Sequence, residues 1–297
     1  MRRIVVGIDG SPGSQIALRW AVREAKIAAA GVAGSAPVGI DAIGVWNYPV
    51  VAGAPGAVIP VRPMADQGAD TMRNLQECID GLGAEAKDVP IDTIVAEGGA
   101  AQMLCEAAKD ADLLVVGTRG SGRIRRLILG SVSNQVIHHS PCPVALIPPE
   151  AVEALEPSAA GGTVIVGVDG SEAAAHALKW AAAEGARRNW PVDVVYAWEP
   201  FVPFGRAGSY VDDDAMAADA QVVLDRVMFD AFGGDVPAHV HARTAPGDPS
   251  QVLVDAAGPS DVLVVGTRGR GGFLGLHLGS VATHCAHHTR SPLVLVR

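Results

Sequence analysis

Short apolar runs alternate with amphipathic stretches along the first half of the chain. The run from Ile4 to Ile8 precedes a stretch in which Ile16, Trp20 and Ala21 share one helical face, which predicts a strand followed by a helix. The same alternation predicts further strands at 40–46, 91–96, 113–117 and 144–147, and helices around 72–82, around 103–109 and from 131. Strands that are apolar on both faces and alternate with helices are typical of a mostly parallel sheet covered by helices.

The whole pattern occurs twice. Residues 4–11 read IVVGIDGS and residues 164–171 read VIVGVDGS, and residues 112–147 align without a gap on residues 261–296. A repeat on this scale predicts two copies of one domain. We predict domains at 1–149 and 162–297, joined by a linker at 150–161 that has little hydrophobic periodicity.

Length and composition limit the classes of protein to consider. The chain has 297 residues, of which 49% are hydrophobic, enough for two domains with separate cores. A formal net charge of -9 argues against nucleic acid as a partner, because phosphate backbones repel an acidic protein. Four scattered cysteines form no C-x-x-C pair, and prolines and glycines interrupt the uncharged stretch 42–61. We therefore expect a soluble cytoplasmic protein that binds neither nucleic acid nor membrane.

A glycine-rich loop joins the fourth predicted strand of each half to the next helix. Its spacing is G-x2-G-x9-G-S, at Gly117, Gly120, Gly130 and Ser131 and again at Gly266, Gly269, Gly279 and Ser280. Glycines allow backbone N–H groups to approach a phosphate, and a helix N-terminus favours an anion. The serine is predicted to cap the helix and to donate its hydroxyl to a phosphate oxygen. Both halves keep this spacing although their central segments differ, which favours phosphate binding over an ordinary turn.

Arginines in these loops add local positive charge to an acidic protein. They are Arg119, Arg123, Arg125 and Arg126 in the first half and Arg268 and Arg270 in the second. An anionic ligand would explain them, and solvated loop side chains are the alternative for Arg125 and Arg126. Gly272 corresponds to Arg123, so the first loop must bend differently if this position needs a positive φ.

One aspartate follows the first strand of each half, Asp9 in the first and Asp169 in the second. Ligands of open α/β sheets lie beyond the carboxyl ends of the strands, where a carboxylate can accept a hydrogen bond from a ribose hydroxyl. The alternative role is a helix N-cap, although Ser11 and Ser171 are available for capping.

Taken together, the V-G-[IV]-D-G-S strand, the VVGTRG loop, the LGSV that follows and the HH before a final apolar strand resemble the universal stress protein family in its tandem form. The resemblance covers nearly all of both halves, and the glycine spacing is that of the ATP-binding branch. It implies an α/β fold of the adenine-nucleotide alpha-hydrolase type. Each half would contain an open parallel five-stranded sheet of order 3-2-1-4-5 with helices on both faces.

The resemblance also assigns ligand contacts. Asp9 would hold the ribose and the backbone near Val45 would meet adenine, and the residues around the phosphates would be Gly117, Gly120, Gly130, Ser131 and Val132. The second set is Asp169, Ala197, Gly266, Gly269, Gly279, Ser280 and Val281. The implied ligand is ATP, with or without Mg²⁺.

Single-domain relatives pair through their final strands. In this chain the strands at 144–147 and 293–296 would otherwise be exposed edges, and pairing them within the chain removes that hazard. A pseudo-symmetric monomer or a homodimer of such chains is expected.

The resemblance implies an ATP-dependent regulator of the stress response or of growth, whose bound state is read by another protein. No Walker Gly-Lys-Ser/Thr sequence and no further acidic cluster accompany the loops, so no catalytic residue is assigned. A slow ATPase or nucleotidyl-transfer enzyme is the alternative, and a protein with vestigial sites that acts only by assembly is a third.

Two other features remain. The histidine pairs at 138–139 and 287–288 lack a cysteine or carboxylate at a complementary spacing, so no metal site is assigned. The proline- and glycine-rich segments 49–63 and 201–210 are either lids over the nucleotide or plain loops.

Overall fold

A computed structural model describes residues 3–30, 37–47, 64–118, 129–155, 161–200, 213–269 and 278–297. By its internal contacts the chain divides into two units, Met1–Cys142 and Pro143–Arg297. A 3-10 helix, Pro149–Leu155, begins at the last residue of the predicted first domain and continues into the predicted linker, and its Ala151 is buried. The predicted domain limits at 149 and 162 stay a prediction.

The first unit alternates strands and helices as the hydrophobic pattern predicts. Its elements are β1 (Arg3–Gly7), α1 (Pro12–Ala30), β2 (Gly39–Trp46), α2 (Met64–Asp80), β3 (Ile91–Glu97), α3 (Ala100–Ala107), β4 (Leu113–Gly117) and α4 (Ser131–His139), with 3-10 helices at Gly83–Ala86 and Ala108–Asp110. β1 lies between β2 and β4 and is parallel to both, with Ile4 opposite Ile40 and Leu113. Because β3 pairs in parallel with β2, the strand order is β3-β2-β1-β4.

The second unit repeats this arrangement and adds one strand. Its elements are β5 (Val144–Ile147), β6 (Val164–Gly167), α5 (Glu172–Arg188), β7 (Val192–Trp198), α6 (Asp213–Phe232), β8 (Val240–Pro246), α7 (Pro249–Ala256), β9 (Val262–Gly266), α8 (Ser280–His288) and β10 (Leu293–Val296). The order β8-β7-β6-β9-β10 is parallel throughout and confirms the predicted order 3-2-1-4-5 for the second repeat.

Strand β5 belongs to the second unit, although it comes from the first repeat. It pairs antiparallel with β10, with Leu146 opposite Leu293 and Val144 opposite Leu295. All eight residues of the two strands are buried. The predicted pairing of the two final strands within one chain is therefore confirmed.

Burial explains why the central strands were easy to predict. In β4 and β9 every residue except the final glycine is buried, as expected for strands covered by helices on both faces. β3 lies at the edge of its sheet and alternates between half-buried and exposed residues. Helix α3 begins at Ala100, three residues before the predicted start. The apolar pattern does not mark this start, because Ala100 and Ala101 add little to it.

None of the helices in the described ranges combines the length and apolar character needed to cross a bilayer. None of the four cysteines forms a disulfide, and Cys78, Cys142 and Cys285 are buried. Burial raises the pKa of Cys285 to about 12, which disfavours the thiolate.

Candidate functional site

The predicted site residues lie at the carboxyl ends of the strands in each unit. In the first unit, β2 is the neighbour of β1 on one side and β4 is its neighbour on the other, so the strand order reverses at β1. In the second unit, β7 and β9 flank β6 in the same way. The reversal leaves a crevice between neighbouring strand ends, the usual ligand position in open α/β sheets. Asp9 and Gly117 flank this point in the first unit, and Asp169 and Gly266 flank it in the second.

In the second unit, the aspartate and the glycine loop are in direct contact. A Cβ atom added to Gly269 would lie 2.5 Å from Asp169 Oδ2, so the carboxylate rests against this α-carbon. A Cβ atom on Gly279 would lie 3.6 Å from the amide nitrogen of Gly269. The structure thus brings Asp169, Gly269 and Gly279 together from separate positions in the chain.

A backbone hydrogen bond joins the two described ends of each loop. Gly130 N–H donates to Thr118 O at 2.7 Å in the first unit, and Gly279 N–H donates to Thr267 O at 2.8 Å in the second. Each bond holds the start of a helix, α4 or α8, beside the end of the preceding strand. The two units therefore hold the helix start beside the strand end in the same way.

The predicted capping role of Ser131 and Ser280 is wrong. The N-caps of α4 and α8 are Gly130 and Gly279, which provide no side-chain hydrogen bond, and each serine is the first helical residue. Ser131 and Ser280 are exposed. A helix start without a side-chain cap leaves N–H groups of the first turn available for an anion. Val132 and Val281 are half-buried in the same turns.

Gly117 and Gly266 have a packing role that the sequence did not reveal. A Cβ atom on Gly117 would lie 2.9 Å from the carbonyl carbon and oxygen of Gly13, and one on Gly266 would lie 2.8 Å from the carbonyl carbon of Ala173. Real Cβ atoms essentially never come this close to backbone. These glycines allow the first turns of α1 and α5 to pack against the strand ends.

The first-strand aspartates accept hydrogen bonds from the serines two residues later. Asp9 Oδ1 accepts from Ser11 N–H at 3.0 Å and from Ser11 Oγ–H at 2.5 Å. Asp169 Oδ1 accepts from Ser171 N–H at 2.9 Å. Ser171 also caps α5 by accepting from Ala174 N–H, so the prediction that this serine serves as the cap is confirmed.

Val45 and Ala197 occupy equivalent positions in β2 and β7. Val45 pairs with Ala96 and Ala197 pairs with Ala245, one residue before the end of each strand. Both are half-buried. Because β2 adjoins β1 and β7 adjoins β6, each residue lies at the same sheet edge as the aspartate of its unit.

Ser133 was missed by the sequence analysis. Its buried hydroxyl donates to Gly117 O at 2.7 Å and so ties α4 to the end of β4. The second repeat has Ala282 at this position, so comparison of the repeats gave no signal.

Several predicted residues lie outside the described residues. They are Gly120, Arg119, Arg123, Arg125, Arg126, Arg270 and Gly272, together with the predicted lid segments 49–63 and 201–210. Arg268 is described and is exposed beside Gly269.

The histidines of α8 form a compact cluster. The rings of His284 and His288 stack with centroids 4.1 Å apart, and His288 Nδ1 lies 2.9 Å from His284 O. Within the ranges that the structure describes, no group of three or more His, Cys, Asp or Glu side chains is placed to hold a metal ion. Partial burial lowers the pKa of His287, and electrostatic repulsion from His288 and His284 lowers it further.

We expect this shift to make the second unit less stable in acid. In the unfolded chain His287 binds a proton near its ordinary pKa of 6.5, whereas in the folded protein it binds a proton only at lower pH. The free energy of unfolding is therefore highest above about pH 6.5 and falls as the pH drops below that value. Denaturant unfolding of His287→Gln should depend less on pH between about pH 7 and pH 5 than unfolding of the unsubstituted protein. The exposed His241→Gln is the control, and identical pH profiles for the parent and His287→Gln would contradict the expectation.

Comparison with known proteins gives one family. The sequence model of the universal stress protein family matches residues 1–148 and 162–297. A universal stress protein of Mycobacterium tuberculosis is 30% identical over 298 residues, covering 99% of this chain and 96% of the relative. One from Mycolicibacterium smegmatis is 28% identical with the same coverage. The crystal structure of a universal stress protein from Archaeoglobus fulgidus has a TM-score of 0.65 at 16% identity, covering 99% of this chain and 98% of that one, and shows the same fold.

Proposed function

The chain belongs to the universal stress protein family, whose members serve the stress response, and from this membership we propose that each repeat binds one adenine nucleotide. The proposed ligand is ATP, with or without Mg²⁺. The protein acts as a nucleotide-dependent regulator, and another protein or a second copy of the chain reads its bound state.

The contact of Asp169 with Gly269, which in turn lies against Gly279, carries this proposal. A carboxylate that accepts ribose hydroxyls would lie next to a glycine loop and to a helix start without a side-chain cap. A nucleotide needs these two kinds of recognition a few ångströms apart, since its ribose and phosphates are adjacent. Exposed Arg268, next to Gly269 in the chain, adds positive charge to this loop.

The proposed contacts keep the assignments that the sequence suggested. Asp9 and Asp169 hold ribose, the backbone at Val45 and Ala197 meets adenine, and the loop glycines with Ser131, Val132, Ser280 and Val281 surround the phosphates. Because Ser131 and Ser280 are not caps, their hydroxyls are available to donate to phosphate oxygens. Gly117 and Gly266 contribute by positioning, through the close approach of α1 and α5.

Incubation of the purified protein with radiolabelled ATP tests the proposal. We expect labelled ATP to remain bound and unhydrolysed after rapid gel filtration, because no catalytic residue is assigned. Multiple turnover to ADP would replace the regulator with a slow ATPase. Absence of retained nucleotide, also in protein purified without dialysis, would contradict nucleotide binding and favour a protein that acts only by assembly.

A further inference from the structure

We propose that the serine two residues after each aspartate couples the ribose end of the site to the phosphate loop. This inference rests on the proposed nucleotide binding. The serine hydroxyl has one proton, which it donates either to the aspartate or to the loop. Ser11 and Ser171 occupy these two alternative positions.

The first repeat has the hydroxyl on the aspartate. Ser11 Oγ–H donates to Asp9 Oδ1 at 2.5 Å while the oxygen accepts from Ser14 N–H at 3.2 Å. Asp9 Oδ1 also accepts from Ser11 N–H at 3.0 Å, so this oxygen has two donors from one serine. A ribose hydroxyl approaching Oδ1 must compete with the Ser11 hydroxyl.

The second repeat has the hydroxyl on the loop. Ser171 Oγ–H donates to the carbonyl oxygen of Arg268 at 3.2 Å, while the oxygen still accepts from Ala174 N–H at 3.2 Å. The helix cap is therefore the same in both repeats, and only the acceptor of the proton differs. Asp169 keeps the backbone donation from Ser171 at 2.9 Å, and the hydroxyl no longer competes for it.

The Arg268 carbonyl lies at a position where fixing it affects phosphate binding. Thr267 O, on the preceding residue, accepts from Gly279 N–H at 2.8 Å and so holds the start of α8. Gly269, the residue after Arg268, contacts the Asp169 carboxylate. In the second repeat the Ser171 hydroxyl already holds this carbonyl and so fixes the loop that receives the phosphates. In the first repeat, a ribose that takes over Asp9 releases the Ser11 proton for the same role. Ser171 is thus a positioning residue rather than a ligand of the nucleotide.

The test compares ATP with adenosine, which has the ribose but no phosphates. Binding to the second site is measured by calorimetry in an Asp9→Ala background, which removes the first site. Ser171→Gly deletes the hydroxyl and retains a residue suited to an N-cap, and Ser171→Thr restores the hydroxyl. We expect Ser171→Gly to weaken ATP binding about two- to tenfold, the usual contribution of one neutral hydrogen bond, and to leave adenosine affinity unchanged. Ser171→Thr should recover ATP affinity.

Other outcomes overturn the coupling. Equal weakening of ATP and adenosine by Ser171→Gly would assign the serine to the ribose pocket or to helix capping alone. An unchanged affinity for ATP would remove the serine from the phosphate end. If the Asp9→Ala protein with Ser171 intact binds neither ligand and the unsubstituted chain also binds neither, the proposed function itself fails. Thermal unfolding of each variant verifies that the second unit is folded.

Discussion

Replacing Gly269 by alanine is expected to weaken nucleotide binding at the second site about 10- to 100-fold, the loss of one charge-assisted hydrogen bond. The new Cβ atom would lie 2.5 Å from Asp169 Oδ2, so the carboxylate must leave its position. Titration of ATP and adenosine into the Asp9→Ala background measures the effect. Both ligands should be weakened, because both contain the ribose.

Gly279→Ala is the matched comparison in the same loop. Its Cβ atom would meet Gly269 and Thr267 at 3.6 Å, an ordinary contact, and the φ of -78° suits alanine. The protein should therefore fold normally, and any loss should fall on ATP and spare adenosine. Equal affinities of Gly269→Ala and the parent for both ligands would place the ribose elsewhere.

Gly266→Ala is expected to lower the free energy of unfolding of the second unit by about 1–3 kcal/mol, the usual cost of adding a methyl group to a well-packed site. Its Cβ atom would lie 2.8–2.9 Å from backbone atoms of Ala173 and Ala174 in the first turn of α5. Backbone cannot move aside as a flexible side chain can. Urea unfolding followed by circular dichroism measures the loss, and Gly117→Ala should act in the same way on the first unit.

Gly39→Ala provides the control for these two variants. An added Cβ atom at Gly39 would meet nothing within 4 Å, so the stability should be unchanged or slightly increased. If Gly266→Ala and Gly39→Ala have the same midpoint of urea unfolding, the close approach of α5 to β9 is not a source of stability.

The parts of the fold that the sequence predicted are those whose signal is local. β4 and β9 are apolar along their length because both of their faces are buried, and the strand bounds of β4 were correct. The order of the strands came from the family resemblance, because periodicity along a chain does not reveal which strand is the neighbour of which. α3 was placed late because alanines pack into a core without producing a strong apolar pattern.

The roles of individual site residues depended on contacts between distant parts of the chain. Gly117 and Gly266 were predicted to serve phosphates, and their approach to Gly13 and Ala173 could not be read from the spacing of the loop. The sequence pattern predicts that the serine at each helix start is the cap, whereas the preceding glycine has the extended backbone of the N-cap position. Repetition in the sequence draws attention to this loop, but repetition alone does not separate packing from ligand contact.

We propose one nucleotide site per repeat, centred on Asp9 and Asp169. Native mass spectrometry with ATP counts bound nucleotides directly, for the unsubstituted chain and for Asp169→Ala. We predict two nucleotides on the unsubstituted chain and one on Asp169→Ala. Two on both proteins, or none on either, would contradict this account.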